Sequence, residues 1–422
     1  MSAGAPSETV SVAAESNPPP RWLALARKVL HPAIVLPILC IVYLCITVPM
    51  LNKLLKDPYR AGRFIREDSR QYRDIGQEFA DGDFSMPYVK KKPHRQPLYP
   101  LLLAPSLKFA PDSMFALGMV NIVIGLLTLV VLYFATLGLF RNALVAALMG
   151  LLFITNSFLM QQIGTMLMTE PLFILLEVPV LYGFLRYLQD RKSVWLWVAS
   201  GFAGISYLAR TNGLFIWMAL LGALFLWDLW ALLRDRTAPL GRRLGRFVGN
   251  YAIAVLVGII CTAPSWVPRV RDYGNPIFHG HIANFMWVDT YEEARSQGEH
   301  PTFSWHDYAA EHGMGDVLHR WWYGFTEVCY LTPFGLSHAT QILAMLGLLV
   351  ALITRNGRFL WLAFFCFVQL QPLIWTSMAN HSKRVVYPGI VVFEWFFAAF
   401  ALAWVAEQVW RRLAEKRALA RP

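Results

Sequence analysis

Apolar residues in this 422-residue chain come in blocks of about twenty, the length a helix needs to cross a hydrocarbon core of about 30 Å. In lipid each backbone polar group must be satisfied within its own segment, so a chain patterned this way folds as a bundle of membrane helices. The composition agrees. Hydrophobic residues make up 56% and charged residues 15%, against about 25% charged in a soluble domain. The same figures exclude a disordered chain. Ten spans are expected, at about 32–53, 114–139, 142–159, 168–188, 194–209, 213–233, 247–267, 334–353, 358–378 and 385–409.

Four regions follow from this pattern. Residues 1–20 are small and polar, end in three prolines, and read as a disordered tail without signal-peptide order. Residues 21–267 form a transmembrane module that includes a long loop, 54–113. Residues 268–333 form a second long loop, and 334–422 hold the last spans and a basic tail. Both long loops follow odd-numbered spans, so both lie on one side of the membrane. The short loops of the other side are basic, with Arg191-Lys192, a cluster from Arg234 to Arg246, Arg355 and Arg358, and five cations after the last span. The positive-inside rule places that side and both termini in the cytoplasm. The eleven Lys and Arg of loop 54–113 oppose this orientation, but loops of that length are weak topology determinants. The net charge of +11 has its explanation in the same rule, and nucleic acid is not an expected partner. No internal repeat is visible.

The five cysteines show no metal or disulfide spacing. Six of the ten histidines (His279, His281, His300, His306, His312 and His319) fall in the second long loop without a known ligand pattern. Trp305, Trp321, Trp322 and Tyr323 point to an amphipathic element at the interface.

The chemistry-bearing residues gather on the side of the long loops. Residues 66–79 read as a short amphipathic helix ended by Gly82. Asp68, Tyr72, Ile75 and Phe79 share one face of it. That face is expected to lie on the membrane surface, which would aim Asp68 at a lipid-borne head group. Lys90-Lys91-Lys92 is expected to meet lipid phosphates. Arg95-Gln96-Pro97-Leu98-Tyr99-Pro100 leads into a proline-broken apolar stretch. Glu170-Pro171 opens the fourth span, and Glu177 lies deeper on the same face, where a structural pair is expected. Arg210-Thr211-Asn212-Gly213 joins spans five and six. His381-Ser382-Lys383-Arg384, with Tyr387-Pro388, sits beside a helix N-terminus, an arrangement suited to phosphate.

Taken in order, these elements resemble the GT-C membrane glycosyltransferases that use polyprenyl-phosphate sugars, among them protein mannosyltransferases and aminoarabinose transferases. The resemblance rests on Asp68, Tyr72 and Gly82-Asp83-Phe84; on Arg95 through Pro100; on Glu170-Pro171; and on Arg210 before Gly213-Leu214. Arg269–Phe278 and Arg384–Pro388 are weaker echoes. The family often carries Asp-Glu where this chain has Asp68-Ser69, and Asp where it has Glu170, which leaves the sugar and the acceptor open.

The resemblance implies an all-α polytopic fold of about ten spans and inverting transfer of a sugar from a polyprenyl phosphate to a lipid, glycan or protein hydroxyl. With the orientation read from the loops, the site is expected on the outer face, and the lack of a eukaryotic retention signal points to a bacterial inner membrane. One carboxylate base is needed, and the phosphate leaving group needs cations rather than a second acid. Asp68 is assigned the base, with Glu170 positioning the acceptor or tuning it. Arg210, Lys383 and Arg384, then His381 and Arg95, are assigned the donor phosphate. Tyr72, Tyr99 and Tyr387 are assigned substrate positioning, and loop 268–333 is expected to cover the site. Two acids are also compatible with a divalent cation. The rival readings are a transporter or flippase of a lipid-linked sugar, and a non-catalytic envelope scaffold. Membrane lipids are partners under any of these readings.

Overall fold

The computed structural model describes residues 31–57, 59, 64–65, 67–234, 239–279, 285–296, 305–331, 338–379 and 386–419. Helices account for every regular element among them. The first, α1 (Pro32–Lys56), starts at His31, whose Nδ1 accepts the Ala33 amide, with proline in the first turn. Three loop helices follow: α2 (Glu67–Ala80), the single turn α3 (Tyr88–Lys91) and α4 (Leu98–Phe109). Then come α5 (Met114–Phe140), capped by Ser113, α6 (Ala143–Ile154), capped by Asn142, and α7 (Ser157–Thr165). The central series is α8 (Glu170–Asp190), α9 (Val194–Ala209), α10 (Gly213–Arg234) and α11 (Leu240–Tyr273). The second long loop carries α12 (Tyr291–Ser296) and α13 (Trp305–Leu331), the latter broken at Gly313, where φ is 79°. The chain closes with α14 (His338–Ile353), α15 (Gly357–Thr376), a 3₁₀ turn at Tyr387–Gly389, and α16 (Val391–Leu419).

Among the described residues, seven helices are long and apolar enough to cross a membrane: α1, α5, α8, α10, α11, α15 and α16. Helices α6 and α7 make an eighth only as a bent pair. The expected continuous span at 142–159 is therefore corrected: the chain turns by 59° there. Asn156 explains the turn. Its side-chain oxygen accepts the Leu159 amide at 3.0 Å and caps α7, while its Nδ2 donates to the Tyr387 hydroxyl at 3.0 Å. Helices α9 and α14 match the remaining two expected spans, but at 16 residues each they rise only about 24 Å. The chain is an integral membrane protein.

Helix α8 lies at the centre. Its side chains are almost all buried, and it packs against α5 and α9, with α15 and α16 beyond. Outer helices turn apolar side chains outward instead: Ile41 of α1, Ile260 of α11 and Met345 of α14 are exposed. Acyl chains suit these surfaces, because lipid is as apolar as they are. Glu177, seven residues into α8, finds the expected structural partner. The Gln369 side chain of α15 donates to it at 2.7 Å and also to the Gly389 carbonyl. The bond pairs two polar side chains in the bundle interior, while Glu177 Oε2 and Gln369 Oε1 stay buried without a hydrogen bond among the described residues.

Helix α2 lies within one residue of the expected 66–79 at each end, and Gly82 follows it in the left-handed region (φ 89°). Its apolar face points differently from expectation. Tyr72, Ile75 and Phe79 are buried, and α2 packs on α4 rather than on lipid. The contact is close at Gly76, where an added Cβ would stand 2.9 Å from Leu107 and 3.1 Å from the Pro100 carbonyl. The membrane-facing element is α4, whose Leu101, Leu102 and Phe109 are exposed. The spacing of apolar residues along a helix makes one face apolar. Whether protein or lipid covers that face depends on neighbours the spacing does not contain.

Candidate functional site

The end of the bundle where α8 begins and α9 ends gathers two acid–arginine pairs. In the first, Asp68 lies in the opening turn of α2 and accepts from Arg95 Nη2. The same guanidinium donates from Nε to Gln71 at 2.8 Å and from Nη1 to the Tyr72 hydroxyl at 3.0 Å. Its carbon stands 4.9 Å from the centre of the Tyr72 ring. One turn of α2 thus supplies three acceptors to one arginine, which fixes the carboxylate in place. Tyr72 meets Tyr99 of α4 edge-to-face at 5.4 Å. The Tyr99 hydroxyl donates to Asn121 of α5 at 2.8 Å, and Asn121 donates to the Met166 carbonyl just before α8.

The second pair is Glu170, which opens α8, with Arg210, which ends α9. Arg210 Nη1 lies 3.0 Å from the Glu170 carboxylate and 3.3 Å from the Thr169 hydroxyl. Glu170 is only 2% exposed. Pro171 suits the first turn, and the helix N-terminus favours an acid there. Tyr99 links the two pairs through Asn121, which bonds the Met166 carbonyl four residues before Glu170. The turn that aims Arg210 depends on Gly213. An added Cβ there would meet the Tyr207 amide nitrogen at 2.2 Å and the Ser206 carbonyl carbon at 2.3 Å.

A third arginine ties the two long loops together. Arg269, near the end of α11, is fully buried. It donates to the carbonyls of Pro93 (2.6 Å), Arg95 (3.1 Å), Ser265 (2.9 Å) and Phe278 (3.0 Å), and to the Ser265 hydroxyl. Ser265 in turn donates to Gln96 at 2.7 Å. His279 packs against Tyr207, 3.3 Å from its hydroxyl. Burial, with Arg269 beside it, pushes the His279 imidazole down to about 3. The Tyr273 hydroxyl adds a bond to the Lys90 carbonyl at 2.9 Å, and its ring stacks on Phe278. The backbone around Arg95 is therefore held from the second loop, while its side chain holds Asp68.

Farther along, Arg320 of α13 is buried and binds Asp289 together with the carbonyls of Phe285 and Val288. Tyr308 and His312 complete this knot around Asp289. Trp305 and Trp322 on α13 are exposed, as an interfacial element requires.

Of the residues singled out in the sequence, the structure brings together Asp68, Arg95, Tyr72 and Tyr99, with Glu170 and Arg210 beside them. Tyr387 takes other partners, bonded to Asn156 and edge-to-face with Phe158 at 4.7 Å. His381, Lys383 and Arg384 lie outside the described residues. Lys92 pairs with Asp74 at 3.5 Å, and Lys90 and Lys91 are exposed. Sequence reasoning passed over Asn121 and gave no role to Arg269, Gln96 or His279, although Arg269–Phe278 is an echo of the family and Gln96 stands inside the Arg95–Pro100 motif. A further signal for Arg269 is its place after Pro268 at the end of an apolar span. Among the described residues no three of His, Cys, Asp and Glu converge. The two carboxylates at this end are each engaged by a guanidinium.

Residues 94–263 match the family described as dolichyl-phosphate-mannose-protein mannosyltransferase. The matched stretch contains Arg95, Tyr99, Glu170 and Arg210, while Asp68 and Tyr72 precede it. No curated protein matches the chain. Among solved structures, the chain is similar to the Archaeoglobus fulgidus oligosaccharyltransferase crystallised with zinc and sulfate. The identity is 15% and the TM-score 0.54, covering 92% of this chain and 51% of that one. ArnT from Cupriavidus metallidurans bound to undecaprenyl phosphate matches at 17% identity and a TM-score of 0.45, covering 79% and 54%. The chain spans about half the length of each of these structures. The GT-C resemblance read from the motifs is borne out, and the fold is of that kind.

Proposed function

We propose that this protein is a membrane glycosyltransferase that moves a sugar from a polyprenyl-phosphate donor to an acceptor hydroxyl, with inversion at the anomeric carbon. The observation that carries the reading is the clustering of Asp68–Arg95 and Glu170–Arg210 at one end of a GT-C-type bundle. The match of residues 94–263 to a family named for a dolichyl-phosphate sugar donor supports the donor class.

Asp68 is the base. It takes the acceptor proton as the acceptor oxygen bonds to the anomeric carbon. The bond from that carbon to the phosphate oxygen breaks, and polyprenyl phosphate leaves with the electron pair. Base catalysis of this kind contributes about 10²- to 10⁴-fold. Arg95 orients Asp68 through its fork and leaves the donor phosphate to other cations. Glu170 holds Arg210 at the mouth of the site. Held there by Nη1, the Arg210 guanidinium is the cation that meets the charge developing on the phosphate. Lys383 and Arg384, with His381, complete that cation set. Tyr72 and Tyr99 are buried and bonded within the protein, so they position Asp68 and Glu170 rather than touch substrate. Loop 268–333 covers the site from the side of Arg269. The site faces the periplasm of a bacterial inner membrane, with the sugar and the acceptor still to be identified. No step is routed through a metal.

The test uses the purified chain with a panel of polyprenyl-phosphate sugars and an envelope acceptor extract. Wild type is expected to release polyprenyl phosphate. Asp68→Asn is expected to lose about 10²- to 10⁴-fold in rate while still binding the donor. Donor binding without release in wild type would favour the transporter. Equal rates in both would move the base to Glu170.

A further inference from the structure

The end of the bundle opposite this site carries a cavity of about 320 Å³ between the last turns of α8 and α10 and the first turns of α11. Helix α8 separates the two ends. Glu170 begins it and Tyr187 lies in its last turn, roughly 26 Å away by helix rise. Among the described residues, Arg191, Arg234, Arg243 and Arg246 line the cavity with Asp228 as its acid, four positive groups to one negative.

That one carboxylate is already engaged. Asp228 accepts from the Tyr187 hydroxyl at 2.7 Å, from Asn250 at 3.1 Å and from Arg191 at 3.1 Å. Arg191 is held further by the Trp227 ring, 4.5 Å below its guanidinium. Arg243 donates to the Leu232 carbonyl at 2.6 Å and so fastens α11 to the end of α10. Arg246 lies three residues on, on the same face of α11. The Arg234 guanidinium stands over the Trp230 ring at 5.1 Å. Neither Arg234 nor Arg246 has an acidic partner among the described residues.

Cations placed only for topology face water singly. Here they converge on one concave floor at the ends of three long apolar helices, and Trp230 lines the same cavity. Basic pockets between membrane helices are suited to anionic head groups, and arginine to phosphate oxygens. We propose that this cavity binds the phosphate of an anionic phospholipid head group, on the face of the membrane opposite the transfer site.

The experiment is native mass spectrometry of the detergent-purified full chain, titrated with short-chain phosphatidylglycerol, phosphatidylcholine or inorganic phosphate. Wild type is expected to prefer phosphatidylglycerol. The double variant Arg234→Gln/Arg246→Gln is expected to bind it about thirtyfold more weakly, the ratio for two cations at an anionic surface. Arg234→Lys/Arg246→Lys is expected to stay within a few-fold of wild type, which separates charge from folding. Equal binding by wild type and the glutamine pair would overturn the site. Displacement of the lipid by inorganic phosphate at the lipid's own concentration would overturn the lipid assignment in favour of a free phosphate. The readout does not depend on sugar transfer.

Discussion

Replacing Arg269 by methionine should loosen the transfer site from 174 residues away in sequence, the separation between Arg269 and the Arg95 carbonyl it holds. The arginine is wholly buried, and three of its acceptors, the carbonyls of Pro93, Arg95 and Phe278, lie outside its own helix. Methionine fills much of the volume and donates nothing. Each buried acceptor left unmade costs about 1–3 kcal/mol. Relief of the guanidinium's own desolvation offsets part of the sum, so the expected net loss is about 3 kcal/mol. The Arg95 backbone loses its anchor at the same time, and a misplacement of about 1 Å at a reacting group can cost about 10²-fold in rate. Arg269→Lys keeps a charge but no fork, and should fall between. The assay is a thermal melt in detergent together with release of polyprenyl phosphate. A methionine variant that melts and transfers like wild type would refute the reasoning.

Three further outcomes are expected. Glu170→Gln leaves Arg210 without its counter-charge in a largely buried pair and should cost about 3–5 kcal/mol, with Glu170→Gln/Arg210→Gln regaining part of it; melts of the single and double variants check this. His279 is held neutral in the fold, its pKa lowered from 6.5 to about 3. Its contribution is therefore complete above about pH 6.5 and is lost as pH falls toward 3, by about 2 kcal/mol at pH 5. Unfolding midpoints of wild type and His279→Gln should converge as pH falls through that window, and parallel curves would contradict it. Gly213→Ala puts a methyl group into the Ser206–Tyr207 backbone, so it should lower both the melting midpoint and the transfer rate by displacing Arg210.

Much of the fold was legible along the chain because its signals are local. Each expected span corresponds to a helix or, at 142–159, to a bent pair, and Gly82 ends α2 as read. The failures share a cause. A window over 142–159 averages across Asn156 and hides the turn that its capping side chain makes. The apolar face of α2 is visible in the spacing of Tyr72, Ile75 and Phe79, but its cover, α4, lies beyond the helix itself. The site divides in the same way. Asp68, Arg95, Glu170 and Arg210 were marked as polar groups at one end of the spans. Their pairing was not visible, and neither was the Arg269 hub.

What the sequence by itself determined is the membrane bundle, the helix ends that carry Asp68, Arg95, Glu170 and Arg210, and the short motifs around them. Apolar run length and capping chemistry act over a few residues and need no knowledge of neighbours. What only the tertiary structure decided is which cation meets which acid. Arg95 goes to Asp68 across 27 residues, Arg210 to Glu170, and Arg269 spans both long loops. A guanidinium finds its partners by direction and distance, and packing sets both, through a Tyr72–Tyr99 contact or a glycine too close to its neighbour for any side chain.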